Sequence, residues 1–336
     1  MQSACRAARE ANMDPRKDRT PTPGTNDEPR DPARRRTMIA GLGAPIALSA
    51  LAATATAQDD NAAAGIVDGQ VAMVTGAARG IGRAIAVAYA RAGADIVALD
   101  IADAEAYRDV LGYRLGSQAE LDETAALIEA EGRQVLAIKA DVSDAGAMRT
   151  AASEALKRFG RLDIVVANAG VGGGGPIHGV SDAHWKTVLD INLTGAANTM
   201  KATLPAMIER QSGRFIAITS VAGRMGAGGQ ADYGASKWGL VGLVKSAAID
   251  AGPHGITVNA IAPTGVRTGI FGQLMDDTAW MAGFETFLNQ MHTLPVGMLE
   301  PEDMTGAALF LASPAGQYIS GAVIDMAAGM NARYTA

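Results

Sequence analysis

From Gly69 onward the chain alternates short apolar runs with longer stretches of helical periodicity. The runs are Val71–Val74, Ile96–Leu99, Val135–Ile138, Ile164–Ala167, Phe215–Ile218, Ile256–Ile261 and Ala322–Met326. They are continuous rather than alternating apolar–polar, the pattern of strands buried on both faces. Gly93, Gly132, Gly160, Gly213 and Gly255 precede five of them. At each, a helix is expected to end in a left-handed cap before the next strand begins. Alternating β and α elements with right-handed crossovers predict an α/β fold. The expected architecture is a single Rossmann-type, doubly wound, parallel seven-stranded sheet with helices on both faces.

Composition agrees with one large α/β domain. The chain has 336 residues, is 48% hydrophobic, and carries a formal charge of −6. Its 40 glycines and few aromatics suit helices packed closely on a sheet. No basic block occurs in the globular part, so nucleic acid is not an expected partner. His178, His184, His254 and His292 are not spaced with Cys, Asp or Glu as metal ligands would be, and no metal site is read.

The first apolar run leads into Thr75-Gly76-Ala77-Ala78-Arg79-Gly80-Ile81-Gly82. Glycines there let the backbone turn tightly and approach a pyrophosphate at the positive end of the next helix. Asp100 ends the second run, placed to accept the adenosine ribose hydroxyls and to repel a 2′-phosphate. That favours NAD over NADP. The alternative for Asp100 is a helix cap or turn residue.

Ser220 follows the run Phe215–Thr219, Tyr233 comes thirteen positions later, and Lys237 four beyond that. Tyr233 and Lys237 share one helical face. A phenol is a poor acid–base group at neutral pH, and a neighbouring ammonium is expected to lower its pKa. Ser220 can hydrogen-bond a carbonyl or alcohol oxygen while Tyr233 moves the proton. A nicotinamide would carry the hydride.

TGAARGIG, Asp141-Val142, Asn168-Ala169-Gly170, Asn192, Ser220, Tyr233 and Lys237 together resemble the short-chain dehydrogenase/reductase family over residues 69 to 330. The resemblance implies four catalytic residues: Asn192, Ser220, Tyr233 and Lys237. It implies cofactor contacts from Gly76, Arg79, Gly80, Ile81, Gly82, Asp100, Asp141, Val142, Asn168, Ala169, Gly170, Tyr233, Lys237, Pro263, Val266 and Thr268. Asp141 and Val142 would border the adenine, and Asn192 would hold a water linking Lys237 to solvent. For Asn168 and Asn192 a structural use also stands open, as amides bonded to turn or kinked-helix backbone. Assembly as a dimer or tetramer is implied as well.

Two features resemble the carveol-dehydrogenase-like, mycofactocin-coupled branch. One is the long segment Ile101–Gln118 after Asp100, where such loops usually have about 2–6 residues. The other is Pro263-Thr264 together with LPVGMLEPEDMTGAALFLAS. The chain departs from that branch at GIG in the nucleotide loop and at Met326-Ala327-Ala328-Gly329 near the end.

Substrate contacts are expected from Val171–Trp185, Val221–Ala231 and Thr264–His292, with a mobile Gly172–Gly175 in the first. The third holds Phe271, Trp280, Phe284 and Phe287 among other apolar residues. It reads either as an apolar lid (264–292) over a hydrophobic alcohol or ketone, or as ordinary packing of an amphipathic helix.

Residues 1–57 differ from the rest. A polar, Pro-containing stretch precedes Arg34-Arg35-Arg36, a mildly apolar run follows, and Ala55-Thr56-Ala57 forms a small-x-small ending. This resembles a twin-arginine signal peptide. The run's Gly41, Gly43 and Pro45 make it a poor membrane anchor. Cleavage would remove Cys5, the only cysteine, and leave a chain of net charge −9. The expected organisation is a disordered region plus signal at 1–57, a linker at 58–68 and an NAD-binding dehydrogenase domain at 69–336. Export to the periplasm through that machinery is expected, the alternative being a cytoplasmic protein. The leading functional expectation is an NAD-dependent alcohol dehydrogenase or ketone reductase. A dehydrogenase with non-exchanging NAD, a cytosolic acyl-carrier reductase and a non-catalytic dinucleotide-binding protein are the alternatives.

Overall fold

Seven parallel strands form one sheet in the order β3-β2-β1-β4-β5-β6-β7. The computed structural model describes residues 65–333. The predicted leader, its arginine pair, Cys5 and most of the linker lie outside them. The strands are β1 (Val71–Thr75), β2 (Asp95–Asp100), β3 (Val135–Lys139), β4 (Ile164–Ala167), β5 (Gly213–Ile218), β6 (Ile256–Pro263) and β7 (Val323–Met326). Each matches a predicted apolar run to within two residues. The helices are α1 (Gly80–Arg91), α2 (Arg108–Leu111), α3 (Gln118–Ala130), α4 (Ala145–Phe159), α5 (Asp182–Leu189), α6 (Gly195–Arg210), α7 (Ala231–Ala251), α8 (Thr278–Met291) and α9 (Thr305–Ala312).

The strands are apolar throughout because successive side chains enter two different cores. Val71 and Met73 of β1, with Val97, Val165 and Phe215, join Met148 of α4, Met207 of α6 and Val244 of α7. Ala72 and Val74, with Ile96, Ile164 and Ile216, join Ile85 of α1, Ile128 of α3 and Leu311 of α9. The edge strands β3 and β7 are only partly buried, since each has a neighbour on one side.

Four of the five predicted glycine caps are left-handed: Gly93 (φ 100°), Gly132 (φ 74°), Gly160 (φ 75°) and Gly255 (φ 71°). Gly213 is not. There the left-handed residue is Gln211 (φ 54°), which ends α6, and Gly213 begins β5. Its lack of a side chain serves packing instead, because a Cβ would lie 2.5 Å from the Met207 sulfur.

Strand order reverses between β1 and β4. Ligands of such sheets bind in the crevice beyond the carboxyl ends of the strands at this switch point.

Candidate active site

The loop after β1 and the loop after β4 meet at the switch point in contacts that leave no room for side chains. A Cβ on Gly76 (φ 67°) would lie 2.8 Å from Asn168 Nδ2. One on Gly82 would lie 2.1 Å from the Gly76 carbonyl oxygen. Asn168 donates to the carbonyls of Thr75 (2.9 Å) and Gly76 (3.1 Å), and Thr75 Oγ1 accepts from the backbone N–H groups of Asn168 and Ala169. The Asn168 amide is thus a brace for the glycine turn, the structural use left open above. Helix α1 begins at Gly80 without a side-chain cap, so its first N–H groups point out of the helix end unpaired by it. A bare backbone cradle at a helix N-terminus fits a pyrophosphate.

Asp100, 7% exposed, closes β2. Its Oδ2 accepts from Ala78 N–H (3.0 Å) and its Oδ1 from Ala102 N–H (3.1 Å). Burial raises its pKa, and those two hydrogen bonds oppose the rise. Each oxygen keeps a lone pair for a further donor. Gly116 permits this packing, since a Cβ there would come within 2.8 Å of Oδ1. Arg79 is turned toward the insertion, donating to the Arg114 carbonyl (2.8 Å), and Gly80 faces the Thr268 methyl.

The segment 101–118 is folded down over the cleft. Tyr107 donates to Asp141 Oδ2 (2.6 Å), and Asp141 Oδ1 accepts from Ser143 N–H (2.8 Å). The Asp141 carboxylate is therefore engaged by the protein itself. Tyr113 Oη accepts from Gly172 N–H (2.9 Å), and burial pushes the Tyr113 phenol up to about 12. The insertion thus bridges β3 and the loop after β4.

Ser220, Tyr233 and Lys237 converge on the same cleft, whose volume is about 1090 Å³. Ser220 follows β5 and caps a short turn by accepting from Ala222 N–H (3.1 Å). Lys237, 4% exposed, donates to the Ile218 carbonyl (2.9 Å), with its Nζ 5.4 Å from the Tyr233 ring centre. Burial pulls the Lys237 ammonium down to about 8. The expectation that Lys237 lowers the Tyr233 pKa is not met in this geometry. Burial raises it, and the opposing influence is the hydrogen bond with Ser220. The reason is that Lys237 is turned to a backbone oxygen rather than to the phenol.

Asn192 lies in a π-helical turn, Asp190–Thr194, between α5 and α6. Its side chain accepts from Val171 N–H (2.8 Å) and donates to Val171 O (3.0 Å) and Ser236 Oγ (3.1 Å). The amide clamps the loop after β4, the structural use left open above. Gly170 lies between Asn192 and Lys237, a Cβ there being 3.3 Å from Asn192 Oδ1. Ile81, Val142, Ala169, Pro263 and Val266 line the cleft.

The far wall is aromatic. Trp280 stacks on Phe284 (5.0 Å, 17°), with Phe271 at 5.2 Å and Phe287 at 6.3 Å from Phe284. These four rings line the cleft, and two of them, Phe271 and Phe284, also pack on Leu288, Met298 and Met330. Thr264 donates to His292 Nε2 (2.9 Å), because His292 Nδ1 is the donor to Val296 O (2.8 Å).

Sequence spacing missed one pair. His184 Nδ1 lies 2.8 Å from Asp232 Oδ2 across 48 residues. The Gly172–Gly175 run, expected to be mobile, is held on both sides by this pair and Tyr113. The signal that could have found the pair is a polyglycine run, which needs close neighbours to be useful.

The short chain dehydrogenase family model matches residues 70–279. The chain belongs to the short-chain dehydrogenase family. It is an oxidoreductase of that family. It is 39% identical over 272 residues to an uncharacterized NAD-dependent oxidoreductase of Mycobacterium tuberculosis, covering 80% of this chain and 98% of that one. It is 38% identical over 276 residues to the (−)-trans-carveol dehydrogenase of Rhodococcus erythropolis, covering 78% and 98%. The solved carveol dehydrogenase of Mycobacterium avium in complex with NAD superposes with a TM-score of 0.75 at 37% identity, covering 80% and 100%.

Proposed function

We propose that this oxidoreductase interconverts a hydrophobic secondary alcohol and a ketone, with NAD as cofactor. The observation that carries the reading is the convergence of Ser220, Tyr233 and Lys237 on the cleft that also holds the glycine cradle and Asp100. NAD in the names of relatives and the bare cradle support the cofactor. Gly76, Gly80 and Gly82 would leave room for its pyrophosphate, Asp100 would accept from the adenosine ribose, and Pro263, Val266 and Thr268 would flank the other half. Bound there, NAD supplies the site that takes or returns a hydride.

The chain's own residues handle the proton. Ser220 Oγ holds the reacting oxygen, and Tyr233, in contact with Ser220, gives its hydroxyl proton to that oxygen in reduction and, as the phenolate, takes it back in oxidation. Lys237, its pKa pulled down to about 8 by burial, can release or accept a proton close to neutral pH, and it recharges Tyr233 by turning from the Ile218 carbonyl to the phenol. The aromatic wall Phe271, Trp280, Phe284 and Phe287 favours an apolar, ring-sized substrate. Carveol, named for two relatives, is of this class. Acyl-carrier reduction is disfavoured by an Asp100 placed against a 2′-phosphate, and non-catalytic binding by the intact set of proton-handling groups.

A second reading rests on the insertion. Tyr107 and Tyr113 fasten segment 101–118 to Asp141 and Gly172, which supports NAD held through many turnovers with electrons passed to a separate carrier. Export of residues 58–336 by the twin-arginine route and assembly as a dimer or tetramer are carried forward on the leader's pattern and the family resemblance.

The experiment is Tyr233→Phe. Turnover of a panel of secondary alcohols should fall by about 10²–10⁴-fold while NAD binding persists. Near-normal kcat would overturn the mechanism. Purifying the protein without nucleotide, denaturing it and quantifying released NAD decides the second reading. An empty protein that turns over with added NAD rejects it.

A further inference from the structure

Asp232 immediately precedes Tyr233 in the first turn of α7 and is fully buried. The chemistry above makes no use of it. Its Oδ1 accepts from the Tyr233 N–H (2.8 Å), and its Oδ2 receives His184 Nδ1 at 2.8 Å. The Gly174 N–H also points to it, 3.2 Å from Oδ2 and 3.4 Å from Oδ1. A carboxylate buried this completely is stable only with such partners, so the set of bonds forms as a unit. His184 is delivered by the first turn of α5, where its N–H donates to Ser181 Oγ (3.1 Å).

The glycine run threads between these groups. A Cβ on Gly174 would lie 2.5 Å from His184 Nδ1. One on Gly173 would lie 2.9 Å from both Asp232 Oδ1 and Tyr233 Cβ. At its start Gly172 N–H donates to Tyr113, and at its end Gly175 pairs with Gln230. Gly172 and Gly173 line the cleft. The substrate-side wall and the turn that presents Tyr233 therefore share one anchor.

We propose that Asp232 and His184 are positioning residues, a latch that holds Gly172–Gly175 against Tyr233 so that the cleft wall and the Tyr233 hydroxyl are placed together. The inference rests on Tyr233 as the proton-transfer group. The latch makes wall and hydroxyl depend on the same hydrogen bonds, and loosening it opens the wall and misplaces the hydroxyl in one event.

The test uses His184→Ala, His184→Asn, Asp232→Asn and the double variant His184→Ala/Asp232→Asn in the full-length protein. The probe is the best secondary alcohol from a panel that includes carveol. His184→Ala should lower kcat/KM about tenfold, the size of one charge-assisted hydrogen bond, through a raised KM and a lowered kcat together and with NAD affinity unchanged. Amide hydrogen exchange over 172–175 should quicken in the same variant. Asn at 184 places an amide donor where Nδ1 stood, so His184→Asn should restore both readouts. The double variant should be no worse than Asp232→Asn alone, because the two residues act as one unit. Unchanged exchange and KM in His184→Ala, or losses that multiply in the double variant, would overturn the latch. Should Asp232→Asn fail to fold, the two His184 variants still decide it. Hydrogen exchange also separates the latch from the chemistry: if Tyr233→Phe stays active the proton-transfer reading fails, while exchange at 172–175 still reports the latch.

Discussion

Replacing Lys237 by Met should make the nucleotide-free protein more stable at pH 7 while abolishing its activity. Burial moves the Lys237 pKa from 10.5 to about 8. At about 1.4 kcal/mol per tenfold, that displacement is about 3 kcal/mol held against the folded state. Below pH 8 the lysine is protonated in both states, and the folded state bears the full penalty. Between 8 and 10.5 the unfolded chain binds the extra proton, so stability rises with pH over this window. By pH 10 only about 1 kcal/mol of the penalty remains. Met has nearly the same length and no charge to bury, but the variant loses the bond to the Ile218 carbonyl, worth about 2 kcal/mol while the lysine is charged and about 1 kcal/mol once it is neutral. The net gain should be about 1 kcal/mol at pH 7 and close to zero at pH 10. Urea denaturation of both proteins at the two pH values measures this directly. A variant less stable than wild type at pH 7, or a difference that ignores pH, would refute the reasoning. The stability given up at Lys237 is what a functional site often costs.

Asp100→Ala should cut the preference for NAD over NADP by about ten- to hundredfold, the range of a hydrogen bond to a charged group, measured as the ratio of kcat/KM for the two cofactors. An unmoved ratio would reduce Asp100 to a turn residue bonded to Ala78 and Ala102. Tyr113→Phe removes the acceptor for Gly172 N–H and should speed exchange of bound NAD with labelled NAD by about fivefold or more, as expected for one hydrogen bond of about 1 kcal/mol. An unchanged rate would leave the insertion without a retaining role. Replacing Arg35 and Arg36 by Lys should keep the protein in the cytoplasm with its leader uncleaved, as fractionation and N-terminal mass analysis would show. A wild-type protein found intact in the cytoplasm would reject export.

The pattern of apolar runs determined the sheet. Val71–Val74, Ile96–Leu99 and Ile164–Ala167 are continuous because a strand between two helical layers has no polar face, and that is a local property of the chain. The glycine turn, Asp100 and the Ser220–Tyr233–Lys237 spacing were legible for the same reason: each is a short-range pattern tied to one loop or one helical face. Spacing also placed Tyr233 next to Lys237. It could not say that Lys237 would turn to Ile218, or that burial would raise Tyr233, since both follow from what surrounds the pair. The insertion was legible as extra length, whereas its fastening to Asp141 and Gly172 depends on residues brought in from β3 and β4. Gly213 shows the converse case. A glycine before a strand reads as a cap, yet Gln211 takes the left-handed turn and Gly213 is fixed by a methionine on α6. His184 and Asp232 were invisible, being 48 residues apart and joined only when α5 and α7 pack beside the glycine run. Periodicity and turn chemistry act over a few residues and so are written along the chain. Burial, and the hydrogen bonds it makes obligatory, exist only once distant elements have met.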